Sequence, residues 1–211
     1  RGQCQLVARS DLDLVEHRLP TLIGQRVFAI ALGYEDLVDH DELRHDPVLA
    51  ALSGKLEARR RDCAPLAGKS TLNRLEHAPT GAATRYHKIG HDRRAIERLF
   101  VDLFLEAHTA PPRQIVIDLD ATDDPLHGHQ EGRFFHGYDR EYCYLPFYVF
   151  CGHFLLVARL RTADHEASAG VVDILKGVVS QIRQAWPEVK VVVRGDSAFA
   201  REELMAWCEA N

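Results

Sequence analysis

From residue 113 onward the apolar positions alternate. In RQIVIDLD, Ile115, Ile117 and Leu119 point one way and Val116, Asp118 and Asp120 the other, the period of a half-buried strand. CYLPFYVFC and HFLLVARL are two further apolar runs, and Gly152 between them predicts a hairpin. From Ala167 to Trp186 the period changes: Val171, Leu175, Val178 and Ile182 recur at helical spacing until Pro187. VKVVVRGDS is another apolar strand, and the last segment begins a further helix. The order strand, strand, strand, helix, strand, helix predicts a mixed α/β sheet with helical cover.

The first hundred residues read as helices. Pro20 suits a first turn, Ile23, Val27 and Ile30 follow at helical spacing, and Gly33 suits the stop. Asp46-Pro47 opens a short helix through Leu49 and Leu52 that ends at Gly54. Ser70 or Thr71 caps another through Leu72 and Leu75. Asp92 caps a longer one, with Ile96, Leu99, Phe100, Leu103 and Phe104 on one face. Pro111-Pro112 then breaks the pattern. We therefore expect an all-helical region over 1–110 and an α/β region over 111–211.

With 211 residues, 46% of them hydrophobic, the chain can bury a core in one or two domains. It has no apolar run of membrane-spanning length, so no membrane partner is expected. Its five cysteines (Cys4, Cys63, Cys143, Cys151 and Cys208) are scattered and odd in number, which fits a reducing cytoplasm better than a disulfide framework. Position 1 is Arg and REELMAWCEAN reads as a helix in progress, so a piece of a longer protein is expected. The formal charge of -5 is uneven. Residues 55–110 hold 11 Lys/Arg against 7 Asp/Glu, whereas residues 1–54 hold 5 against 9, so a polyanion would be sought on the middle segment. A solvated helical surface accounts for that charge equally well.

Asp118 and Asp120 share the polar face of an apolar strand. Asp196 follows Val191-Val192-Val193 in the same way, at a polar strand exit. Ligands of open α/β sheets gather at the carboxyl ends of strands. If the two strands are neighbours, Asp120 and Asp196 converge, and paired carboxylates suit a hard divalent ion. On pattern alone, strand-end turn aspartates are the plainer account.

The stretch IVIDLDATDDPLHGHQEGRFFHGYDREYCYLPFYVFCG, with VVVRGDSAFAREELMAWCE after a helix, resembles the DDE-type transposases of bacterial insertion sequences. YEDLVDHDELRHDP and STLNRLEH are more loosely similar to the helical N-terminal part of the same proteins. The resemblance implies a ribonuclease H-like catalytic domain, here incomplete at its C-terminus. It implies Mg²⁺ or Mn²⁺ as cofactor, DNA (transposon end and target) as partner, a homodimer in the DNA complex and a bacterial cytoplasmic setting. Asp120-Ala121-Thr122 matches the family's first Asp-x-Thr and Asp196 in RGDS matches its second aspartate, with Asp118 in reserve as a metal ligand. The third acid, a glutamate on a later helix, is not matched. Glu202 and Glu203 come too soon after Asp196, so the third acid is expected beyond Asn211.

Other signals carry less. GKST at 68–71 lacks the earlier glycine of a phosphate-binding loop, that position being Cys63. His127, His129 and His136 lack the paired spacing of a zinc site and read as loop residues beside the active site. Arg194 reads as a neutralising partner for Asp196. Under the resemblance, Arg59, Arg60 and Arg61 become candidate phosphate contacts, and Ser70 to Arg74 a candidate recognition helix presenting Asn73 and Arg74 to base edges. The function expected is metal-dependent cleavage of transposon ends followed by strand transfer. The alternatives are a ribonuclease H-like nuclease without joining and a DNA-binding remnant without catalysis.

Overall fold

A computed structural model of the protein describes residues 7–8, 15–81, 88–138 and 140–211. The chain divides into two compact units, Gln3–Arg93 and Arg94–Asn211.

The first unit holds β1 (Val7–Ala8), α1 (Leu19–Ala31), α2 (His40–Leu43), α3 (Pro47–Leu52), α4 (Lys69–Glu76) and β2 (Ile89–Gly90). It is helical apart from the antiparallel β1–β2 pair. Pro20 lies in the first turn of α1, and Gly33 follows the helix at φ 92°. The Asp46 carboxylate accepts from the Leu49 N–H at 2.8 Å and caps α3, and Gly54 at φ 72° follows it. Two expectations are corrected. The buried face of α1 is Leu22, Gln25 and Ala29, while Val27 and Ile30 are exposed. A polar residue anchors that face, which an apolar count overlooks. The helix of Ser70 and Thr71 also begins earlier, at Lys69, because Asp41 from α2 accepts from the Lys69 backbone N–H at 3.1 Å. Gly68 is needed there: a Cβ would sit 2.9 Å from the Asp41 carboxylate.

Gln25 ties this unit together. Its amide donates to the Ala67 carbonyl at 2.8 Å and reaches His40 Nδ1 at 3.0 Å, and its carbonyl accepts from the Ala67 N–H at 2.9 Å. The amide nitrogen only donates, so His40 Nδ1 accepts and the ring is neutral, with its proton on Nε2. Burial pushes the His40 pKa below its ordinary value, and the Arg26 charge adds to this.

The second unit begins with α5 (Arg93–Glu106). The expected division at 110/111 therefore lies too late. Val101 and Phe104 of α5 are buried in the sheet's hydrophobic cluster, and the Phe104 ring meets Trp186 edge-on at 5.3 Å. Leu103, expected on the apolar face, is exposed. The unit continues with β3 (Gln114–Ala121), β4 (Asp124–Pro125), β5 (Phe134–His136), β6 (Glu141–Tyr144), β7 (Phe147–Cys151), β8 (Phe154–Arg159), α6 (Val171–Ala185), β9 (Lys190–Arg194) and α7 (Glu202–Ala210). The main sheet has the order β8-β7-β3-β9. The β7–β8 hairpin turns at Gly152, φ 59°, and β7 runs antiparallel to β3. After α6, β9 returns parallel to β3. This is a mixed α/β sheet.

Two features of this sheet depart from the sequence pattern. CYLPFYVFC is not one strand. It breaks at Leu145-Pro146, because Pro146 has no N–H to donate, and its first part pairs with β4 and β5 in a separate small sheet. In β8 the register shifts between Val149↔Val157 and Phe150↔Leu155, leaving Leu156 as the extra residue. The bulge lets Leu156 and Val157, consecutive in sequence, both be buried.

The core forms on one sheet face. Ile115, Ile117 and Leu119 of β3 meet Val149, Val101 of α5, Leu175 and Ile182 of α6 and Leu204 of α7 in one cluster. Truncating a fully buried member such as Leu175 to Ala costs about 2–5 kcal/mol.

Acid should weaken the first unit. The folded His40 binds its proton less readily than the unfolded chain does, and His17 is shifted the same way by burial and by Lys55. Stability is then fully present above about pH 6.5, the unfolded histidine value, and falls as pH drops through the lower folded values. The lowest thermal transition is expected to drop between about pH 7.5 and 5.5, and His40→Gln to flatten that dependence. An equally steep loss in His40→Gln would remove His40 as its source.

Candidate metal site

Asp118 and Asp120 lie on the sheet face opposite the core, as the alternation predicts: Ile117 and Leu119 are buried, Asp118 is half-buried and Asp120 exposed. The parallel register runs from Gln114↔Lys190 to Asp118↔Arg194. Asp120 and Asp196 each lie two residues beyond that last pair, so both leave adjacent strands at the same end of the sheet. The antiparallel neighbour level with Asp120 is Tyr148, which sequence reasoning misses because it sits inside an apolar run.

Local packing fixes both exits. The Thr122 N–H donates to the Pro146 carbonyl at 3.2 Å and holds the end of β3 against the start of β7. At the other exit, Asp196 is still extended (φ -76°, ψ -175°), and one carboxylate oxygen accepts from the Ala198 N–H at 2.8 Å, capping the short 3-10 turn Ser197–Phe199. That turn buries Phe199 beneath the strand end, tilted against Phe147 at 5.9 Å between ring centroids. Gly195 allows the approach: a Cβ there would meet three Phe199 side-chain atoms at 3.0 to 3.2 Å.

The charges are not shared as expected. Arg194 does not pair with Asp196. Its guanidinium holds Asp118 in a fork, Nε to Oδ1 and Nη2 to Oδ2, the second at 3.0 Å. The two residues are register partners, so they face the same way across the parallel pair. The bond to Asp118 raises the Arg194 pKa. Both Asp118 oxygens are thus engaged. Among the described residues the Asp120 carboxylate has no hydrogen-bond or ion-pair partner, and Asp196 keeps one oxygen outside its cap. Carboxylate oxygens are donors of the kind that suits Mg²⁺ or Mn²⁺ and not a thiophilic metal. No group of three or more His, Cys, Asp or Glu placed to hold a metal occurs among the described residues. Glu202 and Glu203 stand in the first turn of α7.

The remaining candidates belong to other surfaces. Arg59 donates its backbone N–H to Glu16 at 2.7 Å and its Nη1 to the Val15 carbonyl at 3.2 Å, and Arg60 Nε lies 4.0 Å from Glu16. Lys55 binds the same carboxylate at 2.8 Å. Burial acts to raise the Glu16 pKa, but the bonds from Lys55 and Arg59 prevail and lower it. Two arginines of the run are therefore partly spent within the unit, and Arg61 is exposed. Asn73 and Arg74 project from α4 on the side away from buried Leu72. His129 contacts Arg133 Nη2 at 2.9 Å within its loop. Cys63, Cys143, Cys151 and Cys208 are in no disulfide, and Cys4 lies outside the described residues. No helix among the described residues is long and apolar enough to cross a membrane.

The family model described as "Transposase DDE domain group 1" matches residues 4–211. The chain belongs to the DDE transposase domain family. Two solved structures are similar to it in part. A Mos1 transposase paired-end complex with left transposon end has 13% identity and a TM-score of 0.31, over 95% of this chain and 60% of that one. A pre-cleavage Mos1 transpososome has 8% identity and a TM-score of 0.30, over 90% of this chain and 75% of that one. This DDE domain thus spans less than two thirds of the first of these chains. No curated protein matches it.

The glycine before Asp196 gives the site its own test. Gly195→Ala is expected to cost about 1–3 kcal/mol, because Phe199 must shift from a filled position. Denaturant unfolding measures this, and Phe199→Leu in the Gly195→Ala background should recover part of the loss. Additive losses in the double variant would mean that the two residues do not compete for space.

Proposed function

We propose that this chain belongs to a DNA transposase, which cleaves transposon ends and joins the freed 3′-hydroxyl to target DNA, with its catalytic aspartates in the sheet unit. Membership of the DDE transposase domain family supports the general reading. The observation that carries the finer one is the parallel register of β3 and β9, which ends two residues before Asp120 and Asp196 alike.

In this reading Asp120 and Asp196 hold the divalent ion, Mg²⁺ or Mn²⁺. When bound, the ion supplies Lewis-acid stabilisation of charge on the phosphodiester oxygens. The core packing behind β3 and the Phe199 anchor behind Asp196 keep the two carboxylates in place before DNA arrives. Water, and then the 3′-hydroxyl, is the nucleophile, so no covalent protein intermediate is required. Asp118, already forked by Arg194, steadies the strand pair and stands in reserve as a ligand. Arg59, Arg60, Arg61, Asn73 and Arg74, all exposed, form the proposed DNA surface of the first unit, with Arg59 and Arg60 contributing what Glu16 leaves. A homodimer in the DNA complex belongs to the same proposal.

Asp120→Asn in the protein should abolish cleavage of transposon-end DNA and spare DNA binding, since it removes one ligand charge and keeps the shape. Mn²⁺ titration followed by electron paramagnetic resonance should show weakened binding in Asp120→Asn and Asp196→Asn, and little change in Asp118→Asn. Wild-type cleavage in Asp120→Asn would move the role to Asp118.

The 211-residue chain by itself should cut no DNA with Mg²⁺ or Mn²⁺. It offers two of the three acids that the resemblance implies, and each 1.4 kcal/mol of lost transition-state stabilisation costs about a factor of ten. Metal-dependent cutting that disappears in Asp196→Asn would show that the third acid is either dispensable or already present, with Glu202 and Glu203 the first to examine. It would also exclude the reading as a catalytically dead remnant.

A further inference from the structure

Not every basic residue of 55–110 belongs to the helical unit: Arg94 and Arg98 lie on α5, in the sheet unit, on a helix whose three arginines are balanced by Glu97, Asp102 and Glu106. Arg94 and Arg98 stand four residues apart on α5, hence on one helix face, and both are exposed. Among the described residues their guanidiniums make no hydrogen bond or ion pair. They line a cleft of about 380 Å³ between α5, α6 and the end of β8, together with Arg159, Gly177 and two carboxylates, Glu97 and Asp173.

The cleft is built and not a gap between loose side chains. Gln181 crosses from α6 and donates to the Arg98 carbonyl at 3.0 Å and to the Asp102 carboxylate at 2.6 Å. Arg159 reaches from β8 to Glu97 at 3.2 Å and braces the other wall. Val101, Val157 and Val178 supply an apolar floor. Glu97 is matched by Arg159, so Arg94 and Arg98 stand against Asp173 alone and leave the cleft with a net positive charge that favours an anion.

We infer that this cleft is a second nucleic-acid contact, in which Arg94 and Arg98 hold a phosphodiester of the DNA backbone. It rests on the reading of the chain as a DNA transposase and adds a contact on the sheet face opposite Asp120. Arg159 is level with Phe147 in the hairpin register, and Phe147 with Ala121. Those residues face the core, one position away from the face of Asp120 but at the same end of the sheet. A strand held here would thus pass the end of the sheet at which the aspartates lie.

Gly177 makes the test clean. It is in the interior of α6, lines the cleft, and a Cβ there would meet nothing within 4 Å. Glu and Lys are both better helix formers than Gly, so neither substitution should unfold the helix. The measurement is the affinity of the 211-residue chain for a fluorescein-labelled duplex of arbitrary sequence at two salt concentrations. Gly177→Glu should weaken binding about tenfold and Gly177→Lys should tighten it severalfold. The same pair at exposed Ala206 on α7 should do neither. Arg94→Ala with Arg98→Ala should reduce the salt slope by about two, one for each phosphate charge left unneutralised. Equal affinities for both Gly177 variants, or equal effects at Ala206, would overturn the cleft and leave the transposase reading standing. A chain that binds no duplex at low salt would overturn the cleft, while cleavage dependent on Asp120 in the protein would still uphold the function.

Discussion

The pairing of β9 with β3 is the constraint on which the rest of the structure depends. A parallel neighbour cannot be reached by a tight turn, so α6 has to cross over the sheet. That crossing is held by the apolar stripe of α6, where Val171, Leu175, Val178 and Ile182 lie against the inner sheet face. The register is then set by matching stripes, Ile115 with Val191 and Ile117 with Val193. A slip of one residue would turn Val192 into the core and carry Arg194 and its successors to the opposite face. Hydrophobic packing far from the carboxylates thereby decides which strand end each aspartate leaves, and on which side.

Once the register is fixed, charge sorts the aspartates. Asp118 and Arg194 are level across the parallel pair, and the guanidinium fork takes both carboxylate oxygens. An exposed ion pair of this kind adds little to stability. Its consequence is selective: it neutralises the inner aspartate and leaves Asp120, one pleat further out, unmatched by any cation among the described residues. The same logic runs through Glu16 in the first unit, which draws Lys55, Arg59 and Arg60 inward and reduces what a basic run in sequence offers to solvent.

What was legible in the sequence was periodic. The alternation of RQIVIDLD, the hairpin at Gly152, the stripe of α6 and the strand before RGDS all lie where the period places them, because each buries one face against one core. Element ends set by local chemistry were legible too, as at Asp46-Pro47. The departures are tertiary. Gln25 is buried because Ala67 and His40, distant in sequence, satisfy its amide. Helix α4 starts early because Asp41 reaches it from α2. Helix α5 belongs to the sheet unit although Pro111-Pro112 follows it, because a proline pair marks the end of an element, which need not be the edge of a core. The partner of Arg194 follows from strand register, which no local spacing reveals.

The division at Arg93/Arg94 also changes how the basic segment is understood. As one linear stretch it suggests a single DNA surface. Split between units, its charges fall into two groups with different mechanical settings. Arg61 and Arg74 belong to a helical unit with several small clusters and an acid-sensitive buried histidine. Arg94 and Arg98 ride on a helix whose Val101 and Phe104 are inside the same core that backs the aspartate strands. The second group is tied to the strand of Asp120 by one continuous hydrophobic cluster. Arg94 and Arg98 therefore keep a set distance from the carboxylates, whatever they contact. Arg61 and Arg74 have no such tie, because the clusters of the first unit are separate from that core.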